Sequence, residues 1–190
     1  MRNVITLVCF IVFLVSCTLL PDKKQKTEAP NPDDTLATIN NAYADTSDPL
    51  YINTGNTKPE DLINYAQTFI GVPYVYASTK PDVGFDCSGF ITYVFNHFNI
   101  EVPRASVNFT NVLHEVPVSE AKPADLILFT GTDSTIRTVG HMGIVVWSNA
   151  NELVFIHSSS GKANGVTLTP LNDYYKGRFV KIIRVFPQNG

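Results

Sequence analysis

Apolar residues follow two different rhythms along this chain. After Thr57-Lys58-Pro59-Glu60, which combines a capping box with an early proline, Leu62, Ile63, Ala66, Phe69 and Ile70 recur at helical spacing until Gly71 stops the run. A second helical run of Phe90, Ile91, Val94, Phe95 and Phe98 begins where the small and polar stretch Asp86-Cys87-Ser88-Gly89 ends. Asp86 therefore reads as the N-cap of a buried helix, with Cys87 on its first turn. Val102-Pro103-Arg104-Ala105-Ser106 makes a turn, and residues 107–115 are predicted as a third, shorter helix.

Beyond residue 125 the rhythm shortens. Residues 125–129, 141–147, 153–157, 166–168 and 180–186 are short runs of β-branched or aromatic side chains separated by turn residues, and each reads as a strand. Helices first and strands afterwards predict an α+β domain with an antiparallel sheet.

At 190 residues with 44% hydrophobic content the chain can bury one good core, which argues against a second full domain. The net charge of −3, with no basic run beyond Lys23-Lys24-Gln25-Lys26, argues against a nucleic-acid partner. Residues 1–16 read as an export signal: Arg2 precedes a twelve-residue apolar stretch from position 4 to 15, too short to span a bilayer. Leu14-Val15-Ser16-Cys17 resembles the bacterial lipobox, in which the cysteine receives lipid; a plain secretory signal is the alternative. Residues 17–56 are rich in Pro, Asp, Asn, Lys and Thr and read as a tether with a root-mean-square span of roughly 35 Å. The folded domain is then expected over 57–188. An exported chain anchored through Cys17 would lie at the cell envelope, on the periplasmic side of the outer membrane in a Gram-negative cell.

Of three cysteines, Cys9 leaves with the signal and Cys17 is consumed by lipid, so Cys87 is the one thiol expected in the mature protein. An unpaired cysteine in an exported protein points to a reactive thiol. At a helix start, unpaired N–H groups and the dipole should favour its thiolate. The alternative is a small, inert, buried side chain.

Two histidines strengthen the reactive reading. If the hairpin around Ser148-Asn149-Ala150-Asn151 is symmetric about Asn149, residues whose numbers sum to 298 oppose each other, and His141 and His157 become cross-strand neighbours on one face. A thiolate at a helix start, a histidine to take its proton and a second polar side chain fixing that histidine's tautomer are the parts of an acyl-transfer nucleophile. The Cys87 backbone N–H is a candidate oxyanion donor, with Tyr74 as a second. The same three side chains could instead ligate zinc, although no CxxC or HxxxH spacing marks such a site. His97 and His114 read as structural or surface residues.

The motifs Phe85-Asp86-Cys87-Ser88-Gly89-Phe90, Pro103-Arg104-Ala105-Ser106, Pro123-Ala124-Asp125-Leu126-Ile127-Leu128-Phe129, Gly140-His141-Met142-Gly143-Ile144 and Phe155-Ile156-His157-Ser158-Ser159 resemble, in that order, the NlpC family of bacterial cell-wall cysteine peptidases. The resemblance spans about residues 57–186. It implies a papain-like fold that hydrolyses stem-peptide bonds of peptidoglycan, commonly γ-D-glutamyl to diamino acid, without cofactor or metal. It implies Cys87 as nucleophile, His141 as base and His157 as the orienting third residue. Tyr74 matches a family tyrosine beside the active site. Asp86 and Ser88, grouped with Arg104, are the residues it places toward the substrate. A monomer is expected. Tyr76-Ala77-Ser78 departs from the family's aromatic and two glycines, and Ala124 stands where glycine is usual, departures that read as changes in the groove wall. A non-catalytic cell-wall-binding lipoprotein, and an amidase or acyltransferase on the same fold, are the competing readings.

Overall fold

The computed structural model describes residues 50–189. The export signal, Cys17 and most of the expected tether lie outside the described residues. The domain is entered before Thr57: Leu50 pairs in parallel with Val112, and Ile52 and Thr54 are buried. The last stretch expected as tether is thus packed against the domain, because its alternate apolar side chains find the core.

Helix α1 (Pro59–Gln67) buries Leu62, Ile63 and Ala66 along one face. Its capping box does not form. Lys58 is the N-cap without a side-chain bond, while the Thr57 N–H turns back to the Thr54 carbonyl at 3.1 Å. Strands β1 (Thr79–Lys80) and β2 (Gly84–Phe85) form a small hairpin ahead of helix α2 (Cys87–His97). Here the predicted cap is present: Asp86 Oδ1 accepts from the Gly89 N–H at 2.6 Å, an interaction of about 1 kcal/mol. Phe90, Ile91, Val94 and Phe95 are fully buried, so α2 is the central helix of the core.

The third helix predicted over 107–115 is instead a 3₁₀ helix, Ser106–Asn111. Val112 leaves it with extended backbone to pair with Leu50, and Glu115–Val116 becomes strand β3. Sheet pairing outcompetes helix propensity there.

Strands β4 (Leu126–Thr130), β5 (Val139–Ser148), β6 (Leu153–Ser159) and β7 (Gly165–Pro170) follow, then helix α3 (Asp173–Arg178) and strand β8 (Phe179–Ile183). The six strands pair antiparallel in the order β3-β8-β4-β5-β6-β7. Both faces are covered. Leu126 and Leu128 belong to the core shared with α2, whereas Ile127 and Phe129 pack with Phe155 and Tyr175 on the opposite face. Helix α3, capped by Asn172 Oδ1 on the Tyr175 N–H at 3.2 Å, closes that second face. Its short length leaves no periodic signature in the sequence.

Candidate active site

Cys87 opens α2 and is 9% exposed. Its Sγ lies 4.0 Å from the Gly140 carbonyl oxygen, and the Met142 N–H is directed at it, so the sulfur flanks His141 on both sides along the β5 backbone. The β5–β6 ladder ends at Ile144 and Ile156, and the sulfur meets β5 beyond that point. No hydrogen bond joins Sγ to either imidazole in this arrangement; catalytic contacts of this kind commonly tighten only when substrate binds.

The ionisation of the thiol differs from expectation. Burial, with the Asp86 charge acting in the same direction, pushes the Cys87 thiol up to about 11. The N–H groups of Ser88, Cys87 and Met142 pull the other way and lose. The helix-start effect is present but smaller than desolvation. Cys87 therefore rests as a thiol.

His141 and His157 do meet: Nε2 of the first lies 2.8 Å from Nδ1 of the second, and His157 is fully buried. The register that brings them together is not the symmetric one. Ile144 opposes Ile156 and Val145 opposes Phe155, so facing residues sum to 300, and a bulge between Val145 and Trp147 shifts the rest. The turn is centred later than Asn149, whose side chain accepts from the Asn151 and Glu152 N–H groups at 2.9 and 3.0 Å. A shift of two keeps both rings on one face and makes their contact diagonal. A Cβ at Gly143 would lie 3.2 Å from His157 Cβ and 2.7 Å from the Phe155 ring, so the absent side chain gives the His157 ring its space.

The pair is boxed by Phe129, Phe155 and Tyr175. Burial, then the neighbouring His157 and Arg178, hold His141 well below the ordinary imidazole range. Burial and Arg178 bring His157 down to about 3. Both imidazoles are neutral at pH 7. His157 Nε2 lies 3.0 Å from Thr169 Oγ1, which extends the chain of polar groups to a fourth residue. Thr169, Tyr175 and Arg178 were not legible in the sequence as site residues, since only the sheet register and α3 bring them to the histidines.

The residues expected on the substrate side gather around Cys87 in a groove of about 510 Å³ lined by Tyr74, Tyr76, Asp86, Ser88, Arg104 and Gly140, among others. Arg104 forks onto Asp86, with Nη2–Oδ2 at 2.5 Å and Nη1–Oδ1 at 3.0 Å, and Nη1 also donates to Ser88 Oγ at 3.0 Å. Asp86 thus caps the helix and anchors the arginine at once. Burial, then the acidic neighbours Cys87 and Asp86, raises the Tyr74 phenol.

The two departures from the family pattern have different meanings. Ala77 is exposed on this groove at φ 58, a left-handed backbone that favours glycine. Ala124, at φ 69, is fully buried in the turn before β4 with its N–H on the Val145 carbonyl at 2.8 Å; its strain falls in that turn and it does not line the groove. His97 stacks on Tyr65 and His114 packs edge-on against Tyr51, both away from Cys87. Among the described residues no group of three His, Cys, Asp or Glu side chains could hold a metal ion.

An antiparallel sheet carrying paired histidines beside a helix that begins with a cysteine defines a papain-like α+β fold. Residues 71–184 match the NlpC/P60 family, and the chain belongs to it. It is 34% identical over 125 residues to a γ-DL-glutamyl hydrolase of Bacillus subtilis, covering 65% of this chain and 28% of that one. A probable endopeptidase, NlpC homolog, of Haemophilus influenzae is 24% identical, with 94% of each chain covered. The solved structure of an NlpC/P60 family protein from Bacillus cereus superposes with a TM-score of 0.61 at 29% identity, over 71% of this chain and 42% of that one. The chain spans less than a third of the length of several curated Bacillus relatives that it matches.

Proposed function

We propose that this protein is a lipid-anchored cysteine endopeptidase that hydrolyses peptide bonds in peptidoglycan stem peptides, with Cys87, His141 and His157 as its catalytic set. The observation that carries this reading is the 2.8 Å bond between the two imidazoles, beside a sulfur packed against the backbone on either side of His141.

The mechanism starts from a neutral thiol and neutral rings. His141 Nε2–H donates to His157 Nδ1, and His157 Nε2–H donates to Thr169 Oγ1, which leaves His141 Nδ1 as the free lone pair. As Sγ attacks the carbonyl carbon, its proton passes to His141 Nδ1, and the neighbouring His157 supports the imidazolium that forms. The Cys87 backbone N–H, assisted by Tyr74, takes the oxyanion. His141 then protonates the departing amine, and a water deprotonated by the same nitrogen hydrolyses the thioester. Asp86, Ser88 and Arg104 hold the acyl side of the substrate. The bond favoured is γ-D-glutamyl to diamino acid, and Cys17 carries the lipid that keeps the domain at the envelope.

Digestion of purified sacculi with the protein and with its Cys87→Ala variant, followed by mass spectrometry of the released muropeptides, tests this reading. New amino termini at diamino acids are expected from the wild type and none from the variant. Release of intact stem peptides from the sugar would instead mean an amidase, and no release at all a binding protein.

A further inference from the structure

On the His141 side of the sheet lies a second cavity of about 740 Å³, separate from the groove of Cys87. Its wall includes His141, Ser159, Lys162, Thr169, Tyr174 and Arg178, and no carboxylate lines it. Arg178 is 7% exposed and forms no ion pair among the described residues. Its guanidinium donates to the Gly131 carbonyl from Nε, to Tyr174 Oη from Nη1 and to the Thr130 carbonyl from Nη2, each at 2.8 Å. That leaves one N–H on each terminal nitrogen without an acceptor among the described residues. A buried cation held only by neutral groups is costly, and an anion in the adjoining cavity would offset that cost. Lys162, exposed on the rim, adds a second positive charge.

The position of the cavity says which part of a substrate would reach it. The acyl group stays with Sγ, and the departing amine leaves from the His141 side. We infer that this cavity is a subsite for the leaving-group half of the substrate, selecting a residue that carries a free carboxylate, received by Arg178 and Lys162. The inference rests on the peptidase reading above, and it narrows the substrate class from any stem peptide to one whose leaving residue is an anion. The carboxylate can be the α-carboxylate of a chain-terminal residue or the distal side-chain carboxylate of a diamino diacid.

γ-D-glutamyl peptides ending in diaminopimelate, lysine or lysinamide separate these cases, because they carry two, one and no carboxylates on the leaving residue. Titration calorimetry of the three on the Cys87→Ala chain is the direct readout. Binding of the first two at least about tenfold tighter than the lysinamide peptide assigns the α-carboxylate; preference for diaminopimelate alone assigns the distal one. In either case Lys162→Met should cut the preference to less than about threefold with an unchanged unfolding temperature, whereas Arg178 substitutions also remove two carbonyl anchors. Equal binding of all three peptides, or binding of none, overturns the inference. Cleavage of the same peptides by the wild type keeps the two readings apart. Carboxylate-dependent binding without any cleavage would overturn the peptidase, and cleavage at equal kcat/KM would overturn the subsite.

Discussion

His141 and His157 touch on a diagonal of the sheet, 2.8 Å apart, across a ladder in which neither stands opposite the other. Their contact depends on the register of β5 and β6 and on the bare backbone of Gly143. Replacing Gly143 by Ala should displace the His157 ring and lower kcat with little change in KM. Measuring both constants on a stem-peptide substrate checks this; a selective rise in KM would contradict it.

In the proposed mechanism, the chain of bonds from His141 through His157 to Thr169 sets the tautomer that leaves the base free. Thr169→Val should lower kcat by roughly tenfold and Thr169→Ser should restore it, while His157→Ala should cost about ten- to a hundredfold and keep residual turnover. Cys87→Ala should abolish turnover and leave thermal unfolding nearly unchanged. Full activity of Thr169→Val would remove that residue from the mechanism.

With its thiol raised to about 11, Cys87 should react with iodoacetamide at pH 7.5 roughly a hundredfold more slowly than a free cysteine, the rate climbing until about pH 11. A plateau near neutrality would mean that a thiolate–imidazolium pair exists at rest. Slow alkylation therefore does not distinguish an enzyme from a binder in this fold, contrary to what a helix-start cysteine suggests from sequence.

Stability should fall in acid. His141 and His157 are held below the unfolded value of 6.5, so the unfolded chain binds more protons than the folded one as pH drops below 6.5. The stability contributed by keeping both rings neutral is whole above that pH. It is lost at about 1.4 kcal/mol per pH unit for each histidine until the folded values are reached. Asp125, raised by burial despite Arg184, is more protonated in the folded state and opposes this trend only near and above its unfolded value. Denaturant midpoints between pH 7 and 4.5 should show the decline, and His157→Gln should flatten it.

The strained alanines offer a test of what the family departures mean. Ala77→Gly relieves a left-handed backbone at an exposed site and should stabilise the domain by about 1 kcal/mol. Ala124→Gly gives up a buried methyl together with the same strain and should come out close to neutral. Urea unfolding of both variants separates the two cases.

What could be read from the chain was local. The Asp86 cap, the apolar stripe of α2 and the β-branched runs of β4 to β6 are each decided by side chains within a few residues, and the structure has them. The capping box at Thr57 failed because the preceding segment folds back onto the domain, and the helix expected over 107–115 gave way to pairing with Leu50 and β8. Register, thiol ionisation and the roles proposed for Thr169 and Arg178 arise from contacts between distant segments. A later turn centre and a one-residue bulge between Val145 and Trp147 together move the histidine pairing by two without leaving a mark in composition.

Beneath the groove, the loop carrying Tyr74 is pinned at several points. A methyl at Gly89 would lie 2.1 Å from the Ser78 carbonyl, one at Gly84 2.5 Å from that of Pro73, and one at Gly165 2.5 Å from that of Val72. Backbone here rests on backbone, while Tyr76, 84% exposed, projects freely from the same loop. The mutable and immutable parts of this wall are therefore separate in the chain. New specificities can be tried by exchanging the outward side chains, with the three bare α-carbons beneath them left as they are.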